Sequence, residues 1–183
     1  MTVPEIPTGT WKIDPSHSEV GFSVRHLMVS KVKGKFTSYD GAITIAPDPL
    51  QSSVNVEIDA TSINTGDDQR DAHLNSADFF ETATYPTWTF TSTNVKDDGG
   101  DFVVSGDLTI KGTTRAVDLD LELNGVGKDP WGGSRIGFSA ETEISRKDFG
   151  VDIEMPLDGG GVVVGDKVKI NLEIEAVLQA DEA

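Results

Sequence analysis

Trp11-Lys12-Ile13-Asp14-Pro15-Ser16-His17-Ser18-Glu19 runs into Val20-Gly21-Phe22-Ser23-Val24-Arg25-His26, and Leu27-Met28-Val29-Ser30 leads on to Lys31-Val32-Lys33-Gly34-Lys35-Phe36. Val20, Phe22, Val24 and His26 share one parity; Glu19, Gly21, Ser23 and Arg25 share the other. In a strand this puts three apolar groups and one imidazole on a single face. The next segment alternates again, with Val32, Gly34 and Phe36 set against Lys31, Lys33 and Lys35. One apolar and one polar face, strand after strand, marks a half-buried antiparallel sheet.

The same period continues outward from this stretch. Ala42-Ile43-Thr44-Ile45 follows a bend or bulge expected at Tyr39-Asp40-Gly41, and Val54, Val56, Ile58 and Ala60 alternate with polar neighbours beyond Pro47-Asp48-Pro49. Trp88 and Phe90 oppose a run of threonines. Phe102, Val104, Gly106, Leu108 and Ile110 form one face, as do Val117, Leu119, Leu121 and Leu123. Beyond a loop expected over Gly125 to Gly133 come Ile136, Phe138, Ala140, Thr142 and Ile144, and then Val168 to Ala176. One helix is expected, at Gln69 to Leu74, behind the cap residues Thr65-Gly66-Asp67-Asp68. Ser76 to Phe80 is expected to start a second turn, ended by Tyr85-Pro86.

Eight or more strands with one apolar face each predict an all-β fold: a single closed antiparallel eight-stranded barrel with a short helical insertion. Residues 1–9 read as a lead-in and residues 10–180 as the barrel. Cysteine is absent, which excludes disulfides and thiolate metal sites. The formal charge of −16 argues against nucleic acid or an anionic bilayer as a broad-surface partner. No signal sequence or membrane span is visible, so the expected location is cytoplasmic without stable membrane insertion; a signal removed upstream would leave the same picture.

The order of the motifs resembles the YceI-like family, bacterial polyisoprenoid-binding proteins with an extended lipocalin-like barrel. Trp11-x-Ile13-Asp14-x-x-His17-Ser18, Val20-x-Phe22-x-Val24-x-His26 and Val32-x-Gly34-x-Phe36 carry the start. Arg70-Asp71-x-His73-Leu74, Asp78-Phe79-Phe80 and Tyr85-Pro86 carry the middle. Gly106-x-Leu108-Thr109-Ile110-x-Gly112, Arg146-x-Asp148-Phe149-Gly150 and Gly165-Asp166-x-Val168 carry the end. The resemblance implies that the interior holds a polyisoprenoid or isoprenoid quinone, without catalysis and without a cofactor other than that lipid. Transport, storage or sequestration would be the role, and a homodimer is left open. The sequence departs from the family in lacking a visible export signal and in the glycine-rich Asp158-Gly159-Gly160-Gly161.

On this reading Phe22, Val24, His26, Phe36, Phe79, Phe80, Trp88, Phe90, Leu108 and Phe138 contact the ligand, and Gly34 and Gly106 leave space for it. His26 and Arg25 are the head-group candidates. The basic window Arg25, Lys31, Lys33, Lys35 has two accounts: cross-strand pairing with acidic neighbours, or an anion site at the barrel mouth. Competing readings are an enzyme or metal-dependent protein using His17, His26 and His73, and a filled barrel that binds a protein partner. The histidines lack local metal-ligand spacing, and His17 is expected to fix a turn through Asp14-Pro15-Ser16. Asp118 to Gly125 lacks the rest of a calcium loop, and Gly159 to Gly165 lacks a phosphate-loop lysine. No metal site is therefore assigned.

Overall fold

Period-two segments become strands because alternation lets each bury one face while the backbone hydrogen bonds go to neighbouring strands. The computed structural model describes residues 6–27, 29–151 and 164–179, without the side chains of His26 and Val164. The strands are β1 (Gly9–Ile13), β2 (Glu19–His26), β3 (Ser30–Phe36), β4 (Tyr39–Ile45), β5 (Ser53–Asp59) and β6 (Ile63–Asn64). After helix α1 (Asp68–Asn75) come β7 (Thr87–Asp98), β8 (Asp101–Ile110), β9 (Thr113–Lys128), β10 (Ser134–Ser145) and β11 (Val164–Leu178).

Eight of these strands close a ring in the order β1-β4-β5-β7-β8-β9-β10-β11, all antiparallel, and β11 returns to β1 through Trp11↔Leu178, Lys12↔Val177 and Ile13↔Ala176. β2 and β3 lengthen the wall. Pro15–His17 interrupts the chain between β1 and β2 as a single 3-10 turn, capped by the Asp14 side chain. Beyond it β2 pairs with β11 at Phe22↔Ile170 and with β3 at Phe22↔Gly34. β6 extends β5 in the same way and pairs with β3. The wall is thus an up-and-down meander, and the connection from β6 to β7 carries α1.

α1 is tied down by polar groups. Asp67 accepts from the Arg70 amide at 3.0 Å, and Arg70 donates through Nε to Thr65 Oγ1 and through Nη2 to the Thr65 carbonyl, each at 2.8 Å. Behind it Ser76 to Tyr85 forms the expected turn, in which the Glu81 and Thr82 amides fold back on the Ser76 and Asn75 carbonyls. Leu74, Phe79 and Phe80 face the barrel interior from this plug.

Two bounds differ from the sequence expectation. The bend precedes Tyr39, at Thr37-Ser38, and Tyr39 already pairs with Ile58. β9 runs on to Lys128 because Gly125 and Gly127 stay in the ladder against Gly137 and Arg135, beside a bulge at Gly137/Phe138. The tight loop is Asp129 to Gly133, where Asp129 Oδ1 accepts from the Trp131 and Gly133 amides at 2.9 and 2.7 Å. The Gly133 amide leads the causes that lower the Asp129 pKa from its ordinary value. The glycine-rich Asp158 to Gly161 lies outside the described residues.

At the β1–β11 seam Arg135 holds three carboxylates. Its Nη1 lies 2.9 Å from Asp14 Oδ2 and 2.7 Å from Glu175 Oε2, and its Nε 3.1 Å from Asp129 Oδ2. Asp14 also accepts from the Ser16 hydroxyl at 2.6 Å and meets His17 Nδ1 at 2.8 Å. These bonds, Ser16 first, then His17 and Arg135, hold the Asp14 carboxyl well below the usual carboxylate range. His17 fixes the turn between β1 and β2, as its position after Asp14-Pro15-Ser16 suggests.

Candidate functional site

The inward faces of the strands meet at one cavity of about 270 Å³. That is near the lower end of the roughly 300–1,000 Å³ common for small-molecule sites. It runs from Ile6, Pro49 and Ser52 at one end to Leu74, Phe79 and Phe149 at the plug end. Between them the wall is almost wholly hydrocarbon, since inward parity on these strands is Val, Ile, Leu and Phe. Ser52, Ser53, Tyr39, Trp88, Thr142 and Arg146 supply its polar atoms. Burial pushes the Tyr39 hydroxyl above its ordinary pKa, so it stays protonated and can donate.

Nine of the ten expected contact residues stand on this wall: Phe22, Val24, Phe36, Phe79, Phe80, Trp88, Phe90, Leu108 and Phe138. Phe22, Phe36, Trp88 and Phe80 form a chain of rings with successive centroids 5.8, 4.8 and 4.8 Å apart. His26 pairs through its backbone with Ser30 and Val164; its side chain lies outside the described residues. Arg25 has the opposite parity and is exposed on the outer wall, away from the cavity.

The glycines do not leave room for a ligand. A Cβ on Gly34 would strike the Phe22 ring, and one on Gly106 would lie 2.5 Å from Phe90 Cζ and 2.6 Å from the Thr91 carbonyl oxygen. Each glycine lets a phenylalanine ring lie across its strand, so the space the parity suggested is taken by Phe22 and Phe90.

Two wall groups stand apart chemically. Arg146, 6% exposed, donates from Nε to the Gly165 carbonyl at 3.0 Å and from Nη1 to the Val151 carbonyl at 2.7 Å. Sequence reasoning placed it in a motif but not in the site; a cation just after the inward-facing Ile144, at a strand end, was the available signal. The Trp88 indole Nε1–H is the single buried side-chain nitrogen or oxygen without a partner among the described residues. An orphan donor of this kind costs about 1–3 kcal/mol.

The histidines do not form one centre among the described residues. His17 lies with Asp14 and Glu175 around Arg135, and His73 Nε2 meets Asp78 Oδ2 at 2.9 Å on the plug. Nor do acidic neighbours explain the basic window. The cross-strand partners of Lys31, Lys33 and Lys35 on β2 are Arg25, Ser23 and Gly21, and Lys35 also faces Asn64 on β6. Pairing with carboxylates, the plainer of the two accounts, is not what the register produces.

Known proteins share this architecture. Protein YceI of Escherichia coli O17:K52:H18 (strain UMN026 / ExPEC) is 47% identical over 148 residues, 79% of this chain and 78% of its own length. The crystal structure of the Campylobacter jejuni YCEI protein superposes with a TM-score of 0.74 at 34% identity, covering 91% of this chain and 96% of that one. A polyisoprenoid binding domain from Saccharophagus degradans superposes with a TM-score of 0.71, covering 94% of this chain and all of that one; at 20% identity this shows a shared fold. The model of the YceI-like domain matches residues 11–176, from the first buried tryptophan to the alanine that closes the ring, and the chain belongs to that family.

Proposed function

We propose that the barrel holds one long apolar lipid, a polyisoprenoid or an isoprenoid quinone, for storage, transport or sequestration and without catalysis. The observation that carries this is the continuous hydrocarbon wall along the whole length of the cavity. Water gains little in such a space, whereas each methylene moved into it contributes about 0.8 kcal/mol. Ordering a flexible chain offsets part of that gain, which favours branched, stiffer chains over plain ones. The polyisoprenoid-binding name of the Saccharophagus domain points the same way. The Tyr39 hydroxyl on the wall is a donor a head group would use.

Titration with a short soluble prenol, followed by displacement of an environment-sensitive apolar dye, tests the reading. Wild type should bind the prenol. Val104→Trp, which fills the space beside Leu119, should lose most of that binding while keeping its β-type circular dichroism spectrum. Binding that survives the filled cavity would place the lipid elsewhere and end this proposal.

A further inference from the structure

The outer wall formed by β11, β2 and β3 is cationic in a chain whose formal charge is −16. Arg25, Lys31, Lys33, Lys35, Lys167 and Lys169 are all exposed there, with Gly21, Ser23 and Asn171 at the remaining outward positions between them. Arg25 and Lys31 are directly opposite one another, a like-charge pair that works against the sheet. Only Lys169 of the six makes an ion pair among the described residues, with Glu141 on β10 at 3.8 Å. Glu141 and Glu143 bound the face on the β10 side, Glu19 and Glu173 bound it below, and Asp166, bonded to Ser145, sits at its upper edge. Across β6 the plug is acidic, with Asp67, Asp68, Asp71 and Asp78.

Where β2 turns into β3, between those cations, the chain exposes apolar side chains. Val29 is 81% exposed and Leu27 38% exposed, and Leu27 holds a φ of 53°. Glycine or asparagine takes that left-handed backbone with less strain than leucine. Bulk and apolarity at a tip that folding does not reward point to a contact outside the chain. Cations flanking a small apolar tip are the pattern of an interfacial anchor.

The geometry points to a peripheral docking surface for an anionic phospholipid bilayer: the Leu27 and Val29 tip enters the interface and the β11–β2–β3 cations meet the lipid phosphates. Phe22 and Val24, on the inner face of the same β2 strand, line the cavity, so docking sets the barrel wall beside the source of its cargo. The choice of a bilayer rests in part on the lipid-holding reading above; the charge of the wall does not. The overall negative charge keeps the contact weak, oriented and salt-sensitive.

Flotation of the full chain with phosphatidylcholine vesicles, with and without phosphatidylglycerol, tests this at low and at physiological salt. Wild type should float with the anionic vesicles alone and less so as salt rises. Each of Lys31→Ala and Lys33→Ala should lower partitioning about fivefold, and Val29→Ser should also lower it. Lys128→Ala and Trp131→Ala, at the opposite end of the barrel, should change nothing. No flotation at low salt, or flotation insensitive to the first three substitutions, overturns the surface. So does loss on Trp131→Ala, whose indole is 83% exposed and would then be the anchor. Patch-dependent retention on heparin without flotation would assign the face to an acidic polymer and overturn the bilayer. Prenol uptake in vesicle-free solution is read alongside: retained uptake with no flotation sinks only the docking surface, and lost uptake with flotation sinks only the cavity reading.

Discussion

Gly106 shows how closely single residues set the shape of the interior. Alanine there would push a methyl into the Phe90 ring and into the Thr91 carbonyl oxygen, which is backbone and has little freedom to yield. Gly106→Ala should therefore destabilise by about 1–3 kcal/mol, the usual cost of overpacking. Gly125, with nothing within 4 Å of an added Cβ, is the contrast: Gly125→Ala should stay within about 0.5 kcal/mol. Urea unfolding compares them, and equal midpoints would mean that the Phe90 ring is free to leave Gly106. Trp88 poses the opposite problem, a large ring in good contact with Phe36 and Phe80 but with an unsatisfied N–H. Trp88→Phe removes the orphan donor and some packing together, and these offset. Its unfolding free energy should change by less than about 1 kcal/mol, against about 3–5 kcal/mol for Trp88→Ala. A large loss for phenylalanine would show that the indole nitrogen has a partner in solution.

Among the elements, the β1–β11 seam converts a sheet into a barrel with only three registered pairs. Arg135 and its carboxylates reinforce that short join. The folded-state pKa of Asp14 lies below its ordinary value of about 3.9. Its stabilisation is therefore complete above the ordinary value and is lost as pH falls through the folded one. Asp14→Asn should be less stable than wild type at neutral pH and should lose less stability as pH drops below about 4. Parallel acid limbs for the two proteins would remove Asp14 from the account of the seam. This join is also where the sequence was least legible. Alternation identified β11, but the pairing of Trp11 with Leu178 depends on the curvature of all the strands between them. Most strands followed from parity and the helix at Gln69 to Leu74 from its caps, both local signals, whereas the wall residues, Phe79 and Phe80 on the plug among them, came with the family resemblance. Neither local signal decides the loop at Gly125 or the emptiness beside Gly34, because a glycine reads alike whether it turns the chain or lies beneath a ring. The basic window was legible as a window. Its neighbours were not, since they come from the register of β2 with β3 and with β11.

The whole molecule separates its chemistry by surface: hydrocarbon inside, acid over most of the outside, cations on one stretch of wall. The polar plug around α1 closes one end of the cavity with Leu74, Phe79 and Phe80, and cargo of any length must pass there, the opposite mouth or a parting of the wall. If the plug is the route, Phe80→Ala should speed release of a bound prenol severalfold under conditions where the variant stays folded, measured by transfer to acceptor vesicles. Unchanged release would direct the route to the mouth near Ile6 and Pro49. The central claim is that this interior carries a long apolar lipid. Organic extraction of the purified protein, with mass spectrometry of the extract, tests it most directly when wild type and Val104→Trp are compared. The account predicts a long-chain apolar lipid, prenyl or quinone in type, near one per wild-type barrel and strongly depleted in the filled variant. An extract free of such lipid, or one equally rich from both proteins, would contradict it.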